Sequence, residues 1–379
     1  MKIMIFYSGY LPGKKYGGPV SSLFNLTELL GDECELYLVC TNHDLHDRTP
    51  YTGIVDGWNK VGKVKVMYLP DEEMTSRYYD KIIGEVKPDL LYSSSIFSAN
   101  HNYWLYGLSR KWKIPIMLAP RGELNSLALK NNFLKKKIYL MFLKGTGKLR
   151  NVVFQATSQQ EYQDIVTNLG VYEEKVRLLP NVPAMPHRKI VYNKKAGSAT
   201  FCFVGRIVKN KNVKKCILAA KGVKSNITLD IFGPIEDKDY WNECKKEIES
   251  CPNNVKINYK GVMSQLYMRN LYSQYDCLIS PTEFENFGQA IVEALANSTP
   301  VIISKNTTPW DDVNEWNAGF VHPLSEIIEF TGSMDRIASM TQKEYRDFTI
   351  CVWKYYQDKF NIEQLRLNYI STFSAMTVK

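Results

Sequence analysis

The sequence predicts an α/β fold made of two doubly wound domains, each a parallel sheet with helices on both faces. Short apolar runs alternate with amphipathic stretches through the first half of the chain, as strands alternate with helices around a parallel sheet. A proline-bearing stretch at residues 180–186 and a polar stretch up to residue 198 interrupt this alternation. The same pattern then repeats, and 379 residues exceed the usual size of one domain.

Each predicted strand is a short apolar run bounded by polar or turn-forming residues. The predicted strands are residues 3–7, 36–40, 64–69, 90–93, 114–118, 152–156 and 176–179 in the first half, and 200–204, 228–232, 255–259, 276–280 and 300–304 in the second. These strands predict a first domain at 1–185, a linker at 186–198, a second domain at 199–358 and a C-terminal helix within 359–379. Two such domains facing each other would leave a central cleft at the carboxyl ends of their strands.

The composition agrees with a globular enzyme, and the cysteines favour the cytoplasm. Hydrophobic residues make up 45% and charged residues 23% of the chain. Eight cysteines are scattered without a Cys-x-x-Cys pair, which favours small buried side chains in a reducing compartment over disulfides or a metal site. The first apolar stretch is too short for a secretion signal, and no run of about twenty apolar residues predicts a membrane span.

The net charge is +9, and part of it is concentrated at residues 130–150, which contain no Asp or Glu. A single helix there would place Lys130, Lys137, Lys144 and Lys148 on one stripe. An apolar stripe of Leu127, Leu134, Ile138 and Met141 would lie beside it. Two interpretations remain open: the helix lies on an anionic membrane at the inner face of the plasma membrane, or the apolar stripe packs on the core and the lysines face water.

Residues 280–304 are the most informative part of the chain. Glu285 and Glu293 flank a turn of Asn286, Phe287 and Gly288, which follows one buried apolar run and opens a helix before the next. A helix N-terminus offers unpaired N–H groups and partial positive charge, and a glycine there permits close approach, so the turn suits a phosphate. Carboxylates accept hydrogen bonds from vicinal hydroxyls. This arrangement indicates a nucleotide-sugar site.

The motif resembles the signature of retaining glycosyltransferases of family four, glycosyl transferases group 1. The resemblance rests on Glu285 and Glu293 with seven residues between them, the Phe-Gly step, and the apolar residues 294–296 and 299–302. It implies a GT-B fold, two Rossmann-like domains with a C-terminal helix crossing back onto the first. It also implies that Glu285 binds donor-sugar hydroxyls and Glu293 the ribose.

The loop after the first strand of the second domain supplies two cations. Arg206 and Lys211 can both direct positive charge at a bound diphosphate, and the resemblance assigns the donor phosphates to them. Lys209 and Asn212 depart from the proline and glycine that are common in the family at these two positions. By the same resemblance the nucleobase lies beside Val262, and UDP is favoured only by its frequency in the family.

Two loops of the first domain are further candidates. Gly17 and Gly18 permit close approach of the backbone to a ligand, and the absence of Gly-x-Gly-x-x-Gly argues against a nicotinamide dinucleotide. Relatives often carry a histidine where this chain has Arg121. Arginine cannot act as a base, so Arg121 would stabilise charge on the leaving diphosphate or orient the donor sugar. His101, near a strand end, is expected to have no catalytic role.

These features predict a retaining, metal-independent transferase without a cofactor. It would move a sugar from a nucleotide-sugar, with UDP favoured, to a glycan or lipid-linked oligosaccharide in bacterial surface polysaccharide synthesis. The alternatives are a UDP-sugar epimerase of the same fold and a basic module that binds membranes or nucleic acid. Nucleic acid is disfavoured because the basic residues are confined to one stretch without an RNA- or DNA-binding motif.

Overall fold

The computed structural model describes residues 1–130, 132–186, 194–264, 267 and 270–378, without the side chains of residues 99–101 and 127. The chain divides into two compact units. Unit 1 is Met1–Val182 together with Ile362–Lys379, and unit 2 is Pro183–Asn361. Residues 187–193 of the predicted linker, and the side chains of Leu127 and His101, lie outside what the structure describes.

Twenty-six helices and strands are numbered below in chain order, counting the described residues only. The strands are β1 Lys2–Phe6, β2 Glu35–Thr41, β3 Trp58–Val61, β4 Val64–Leu69, β5 Leu90–Ser94, β6 Ile116–Ala119, β7 Val152–Ala156, β8 Val176–Leu178, β9 Ser198–Val204, β10 Asn226–Phe232, β11 Val255–Gly261, β12 Cys277–Ser280, β13 Val301–Ser304 and β14 Gly319–His322. The helices are α1 Gly18–Leu30, α2 Ser76–Val86, α3 Ala99–Trp112, α4 Ser126–Lys130, α5 Phe133–Gly145, α6 Gln159–Leu169, α7 Val213–Lys221, α8 Lys238–Glu249, α9 Gln289–Ala296, α10 Ile327–Ser339, α11 Gln342–Lys359 and α12 Ile362–Thr377.

Unit 1 contains an eight-stranded sheet of order β3-β4-β2-β1-β5-β6-β7-β8. All neighbours pair in parallel except β3 and β4, which form an antiparallel hairpin turning at Gly62, where φ is 57°. The sequence does not predict β3, since this four-residue edge strand carries polar side chains between Trp58 and Val61. Trp58 instead packs edge-on against the ring of Tyr37, 4.9 Å between centroids.

Unit 2 contains a six-stranded, all-parallel sheet of order β11-β10-β9-β12-β13-β14. In terms of its own strands this is the order 3-2-1-4-5-6 of dinucleotide-binding folds. The predicted α/β class with two doubly wound, Rossmann-like parallel sheets is therefore confirmed. The final strand, β14, is not predicted from the sequence, because its four residues give too short an apolar run to stand out.

Side chains of the unit 2 strands alternate between two cores, as the pleat of a strand requires. Phe201 and Phe203 of β9 pack on the face covered by α7, α8 and α10, whereas Cys202 between them packs on the face covered by α9 and α11. All eight cysteines are free thiols, and six of them are buried, as their positions in apolar runs predict.

Helix α12 packs within unit 1, although about 180 residues separate it from the rest of that unit. Tyr369 and Phe373 are each 1% exposed. The Tyr369 hydroxyl accepts a hydrogen bond from Gln155 Nε2 at 2.7 Å and donates one to the Pro180 carbonyl at 2.8 Å. These contacts make α12 part of the unit 1 core.

The predicted single helix across the basic stretch is wrong. Asn132 (φ 56°) and Gly147 (φ 62°) adopt left-handed conformations that interrupt a right-handed helix. Lys130 therefore lies in α4 and Lys148 in a short turn, not on one stripe with the lysines of α5. In the described part of the chain, no helix has both the length and the apolar character needed to cross a bilayer.

Candidate functional site

The candidate site of unit 2 lies where the strand order reverses, between β9 and β12. In open parallel sheets, ligands bind outside the carboxyl ends of the strands at this point. The loop after β9 carries Arg206 and Lys211, and the loop after β12 carries Glu285. Backbone contacts join the two loops, since Glu283 N donates to the Asn210 carbonyl at 2.9 Å. The topology thus brings predicted cations and a predicted carboxylate to one edge of the sheet.

Lys211 and Glu285 form an ion pair between Lys211 Nζ and Glu285 Oε1. Both side chains are half-buried, with 16% and 24% of their surfaces exposed. The backbone of Glu285 is fixed by a hydrogen bond from its N–H to the Thr307 carbonyl at 2.8 Å. Asn212, at a position where relatives favour glycine, has φ 55°, and asparagine tolerates this left-handed conformation better than most residues. The departure from the family pattern therefore keeps the turn that positions Lys211.

Arg206 contacts a different carboxylate. Its Nη1 donates to Glu236 Oε2 at 2.9 Å, and both side chains are substantially exposed. Glu236 follows β10, the neighbour of β9 in the sheet. Sequence reasoning missed Glu236, because a pair thirty residues apart leaves no local pattern. In this structure the two predicted cations are therefore engaged by separate carboxylates.

The turn that opens α9 is held by aromatic packing. Gly288 is the residue before the helix and has φ 71°, where a Cβ would lie 3.0 Å from Ile291 Cδ1. The Phe287 ring packs on Trp310 and Phe360, with centroids 5.6 and 6.4 Å apart. Trp310 Nε1 also donates to the Phe287 carbonyl at 2.6 Å. Phe287 thus anchors the turn, while Asn286 beside it is partly exposed.

Glu293 lies inside α9 and is only 6% exposed. Its Oε2 accepts a hydrogen bond from the Tyr272 hydroxyl at 2.9 Å, and its Oε1 accepts one from Gln289 Nε2 at 3.3 Å. Burial and the neighbouring Glu293 carboxylate hold the pKa of Tyr272 well above its ordinary value, so the hydroxyl stays protonated and donates. Tyr272 was not identified from the sequence, since it precedes β12 without any motif.

Val262 directly follows β11, two strands away from β9. The preceding Gly261 has φ 74°, and a Cβ built there would meet no atom within 4 Å. The Gly261 carbonyl accepts a hydrogen bond from Gly233 N at 2.9 Å, which ties this loop to the loop after β10. The nucleobase contact assigned to Val262 stays a prediction.

In unit 1, Gly17 precedes α1 with φ 66°, and Gly18 is the first residue of the helix. A Cβ on Gly17 would meet no atom within 4 Å, so the space beside this backbone is open. The residue before Gly17 is held by a hydrogen bond, because the Tyr16 hydroxyl lies 3.1 Å from Thr41 Oγ1 at the end of β2. Open space at the start of α1 is compatible with the predicted ligand contact.

Arg121 is engaged inside unit 1. Its guanidinium donates to Ser94 Oγ at 3.3 Å, to Ser22 Oγ at 2.9 Å and to the Tyr92 hydroxyl at 3.0 Å. The residue itself has φ 58°, a conformation that is uncommon for arginine. Three of its five donors thus hold α1, β5 and the loop after β6 together. This geometry favours a structural contribution, and a direct role in catalysis stays a prediction.

No three His, Cys, Asp or Glu side chains within the described ranges are grouped closely enough to hold a metal ion. Among the described histidines, His322 is occupied by Glu329 and Ser333, at 3.0 and 2.6 Å. His322 is the last residue of β14, two strands away from β12 in the sheet.

Comparisons with known proteins agree with the residue pattern. Residues 186–349 match the model of the family "Glycosyl transferases group 1". A GDP-mannose-dependent alpha-mannosyltransferase of Corynebacterium glutamicum is 28% identical over 159 residues, 41% of this chain and 35% of that protein. The capsular polysaccharide biosynthesis glycosyltransferase CapM of Staphylococcus aureus is 31% identical over 156 residues, 40% of this chain and 39% of that protein. The chain thus spans well under half the length of these curated relatives.

Solved structures resemble the whole chain. Anabaena HepE, crystallised with UDP and glucose, superposes with a TM-score of 0.69 at 16% identity, covering 99% of this chain and 100% of HepE. WaaG, described as a glycosyltransferase involved in lipopolysaccharide biosynthesis, superposes with a TM-score of 0.67 at 12% identity and full coverage of both chains. At such identities the likeness establishes the fold. The chain accordingly has the GT-B fold of glycosyltransferases, and residues 186–349 carry the sequence pattern of glycosyl transferases group 1.

Proposed function

We propose that the protein transfers a sugar from a nucleotide-sugar, with UDP as the favoured nucleotide, to a hydroxyl of a glycan acceptor. The observation that carries this proposal is the Lys211–Glu285 pair at the strand reversal of unit 2, next to the helix that holds Glu293. Cation, helix N-terminus and carboxylates are the groups that a diphosphate flanked by two sugars requires. The match of residues 186–349 to the family of glycosyl transferases group 1 supports sugar transfer as the activity.

The chemistry would depend on charge. As the bond between the donor sugar and the diphosphate breaks, negative charge builds on the departing phosphate. Lys211, Arg206 and the N-terminal N–H groups of α9 would stabilise that charge in the transition state. Glu285 would hold Lys211 in place and accept hydrogen bonds from donor-sugar hydroxyls, and Glu293 would accept them from the ribose.

We further propose that transfer retains the anomeric configuration. None of the roles above requires a protein nucleophile, which fits a same-face mechanism in which the departing phosphate oxygen takes the acceptor proton. The test is the anomeric configuration of the product, read from its NMR coupling constants soon after mixing. An inverted product would contradict this part of the proposal and leave the donor site untouched.

The acceptor is proposed to be a glycan of a bacterial surface polysaccharide, carried on a lipid at the cytoplasmic side of the membrane. The name of CapM, 31% identical over 156 residues, supports a capsule-type product. The mannosyltransferase relative is named for GDP-mannose and HepE was crystallised with UDP, so the nucleotide must be decided by measurement. A panel of UDP- and GDP-sugars should identify the donor by thermal stabilisation, since about 2.7 kcal/mol is expected at a ligand concentration of 100 Kd.

Lys211→Met should lower kcat/KM by about 10²- to 10³-fold, the range for loss of one charge-stabilising group in a transition state. Steady-state transfer from the donor found in the panel measures it. Lys209→Met is the matched control, because this exposed lysine lies in the same turn. Unchanged kcat/KM in Lys211→Met, or equal losses in both variants, would contradict the assignment.

Glu293→Gln should weaken nucleotide affinity by roughly ten- to a hundredfold, the range for a hydrogen bond to a charged group. Titration calorimetry with UDP and GDP measures it, with Glu283→Gln, an exposed residue, as the control.

Incubating the enzyme with donor alone distinguishes the proposed transferase from the epimerase alternative, because an epimerase would convert the donor without any acceptor.

A further inference from the structure

Helix α5 of unit 1 turns apolar side chains outward. Leu134, Ile138 and Met141 are 67%, 59% and 62% exposed, whereas Leu140 and Leu143 of the same helix are buried. With 3.6 residues per turn, the three exposed residues share one face, and the two buried leucines lie on the opposite side. The interpretation in which the apolar stripe packs on the core is therefore wrong for Leu134, Ile138 and Met141, while the side chain of Leu127 lies outside the described part of the chain.

Exposed lysines flank the apolar face on both sides. Lys137 and Lys144 lie along one edge and Lys135 along the other. Residues 130–150 contain no Asp or Glu, and none of these three lysines has a carboxylate within 4 Å in the described part of the chain. Lys136 differs, since it turns inward and donates to the Ala128 carbonyl at 2.7 Å.

Aromatic side chains continue this surface onto α3. The Phe142 ring stacks on Tyr103 with centroids 6.3 Å apart, and Tyr103 contacts Trp104 edge-on at 5.0 Å. Trp104 is 37% exposed, and Lys148 Nζ lies 3.6 Å from the centre of the Tyr103 ring. Tryptophan and tyrosine concentrate where hydrocarbon meets water in bilayers.

A cavity of about 360 Å³ adjoins the helix at Lys144. Leu149 and Leu169 contribute to its mostly apolar lining, and Lys144, Arg150 and Lys175 bring positive charge to it. An apolar lining with cations is the composition that suits a lipid with an anionic head group.

We propose that the α5 face, defined as Leu134, Ile138 and Met141 with Lys135, Lys137 and Lys144, docks unit 1 on an anionic lipid bilayer. An amphipathic helix lies in the interface with its apolar side chains in the acyl region and its basic side chains on anionic head groups. A second copy of this chain is a poor occupant, because two such faces would bring like charges together. Nucleic acid would satisfy the lysines but leave the three apolar side chains in water.

Sedimentation with vesicles tests the proposal on the full chain. Phosphatidylcholine vesicles containing phosphatidylglycerol should bind the protein, and phosphatidylcholine alone should bind it far more weakly. Replacing Lys135, Lys137 and Lys144 by Gln should lower partitioning on the order of a hundredfold, at about fivefold for each lysine. Replacing Leu134, Ile138 and Met141 by Ser should lower it roughly tenfold or more.

The control variant replaces Lys238, Lys245 and Lys246, three exposed lysines of α8 in unit 2, by Gln. It carries the same loss of charge and should bind vesicles like the unaltered protein. Equal losses in control and α5 lysine variants, or full binding by the serine variant, would overturn the proposal. So would tighter binding to poly-uridylate than to vesicles. Sugar transfer to a water-soluble acceptor should be unchanged in all variants. Failure of the membrane-docking proposal would therefore appear in vesicle binding alone, whereas failure of the proposed function, on which it rests, would appear as no transfer by any form of the protein.

Discussion

The Glu293 carboxylate is held in place by neighbouring side chains and hardly reaches water. A buried carboxylate is costly unless donors surround it, and Tyr272 and Gln289 supply two neutral ones. Tyr272 itself is fully buried below α9. A carboxylate fixed in this way needs no reorientation when a hydroxyl-bearing ligand arrives, which reduces the ordering cost of binding.

Tyr272→Phe should keep the ring packing but remove one donor to Glu293. We expect the free energy of unfolding to fall by about 1–3 kcal/mol, the usual cost of leaving a buried polar group short of a partner, and nucleotide affinity to fall with it. Urea denaturation and titration calorimetry measure the two effects. Tyr275→Phe is the matched control, because its hydroxyl donates to Asp230 at 2.7 Å instead. If both variants bind nucleotide equally poorly, the hydrogen bond to Glu293 is not the cause.

The loops of unit 2 depend on the close approach of two strand ends. Gly233 after β10 has φ 137°, and a Cβ there would lie 1.9 Å from the Gly205 carbonyl oxygen. Gly205 in turn donates its N–H to the Phe232 carbonyl at 3.0 Å and directly precedes Arg206. A side chain at position 233 would therefore displace the segment that carries a predicted phosphate ligand.

Gly233→Ala should lower the free energy of unfolding of unit 2 by more than about 2 kcal/mol, since both a disallowed φ and a backbone clash are introduced. Gly261→Ala is the control: it also has positive φ but open space around it, so only the cost of a left-handed residue, about 1–2 kcal/mol, is expected. Urea denaturation of the two variants measures the difference. Equal losses would mean that the approach to Gly205 contributes nothing.

Buried parallel strands could be predicted from the sequence because both faces are covered and the strands appear as continuous apolar runs. Edge strand β3 and the short β14 lack this signal. The single basic helix was predicted from the spacing of its side chains. That spacing does not report backbone conformation, so it gave no sign that the left-handed residues Asn132 and Gly147 divide the segment.

The proximity of Lys211 and Glu285 could be anticipated because each follows a strand and the strands are neighbours at the reversal of the sheet. The partners Glu236 and Tyr272 could not be anticipated, because neither belongs to a sequence motif that indicates a site. The hydroxyl partners of Arg121 could not be predicted from the sequence either, because Ser22 and Tyr92 become its neighbours only when the sheet of unit 1 assembles.

At the scale of the whole chain, unit 1 is discontinuous in sequence and unit 2 is continuous. The chain leaves unit 1 after Val182 and returns at Ile362. Helix α12 buries two aromatic side chains among the strands of unit 1, and an ion pair links Arg366 of this helix to Glu33. The stability of unit 1 therefore depends on a segment that is remote in sequence, whereas that of unit 2 does not.

Removal of Ile362–Lys379 should destabilise unit 1 by about 3–6 kcal/mol, at roughly 1.5–3 kcal/mol for each of Tyr369 and Phe373. Unit 2 should still fold and bind nucleotide, so calorimetry should show one transition lowered and one retained. As a milder test, Phe373→Ala should cost about 3–5 kcal/mol, whereas Leu367→Ala, an exposed position of the same helix, should cost far less. A single unchanged transition after truncation would contradict this dependence.

The discontinuity of unit 1 also sets the order in which the protein can mature on the ribosome. Strands β1 to β8 emerge first, but the aromatic side chains that complete their core are translated only after the roughly 180 residues of Pro183–Asn361. At synthesis rates of 5–20 residues per second, this delay is about 10–35 s. Throughout that interval the nascent first unit exposes the apolar surface that α12 later covers, and the second unit is complete only when the interval ends. Chaperones therefore have their longest opportunity to act on the part of the chain that is made earliest.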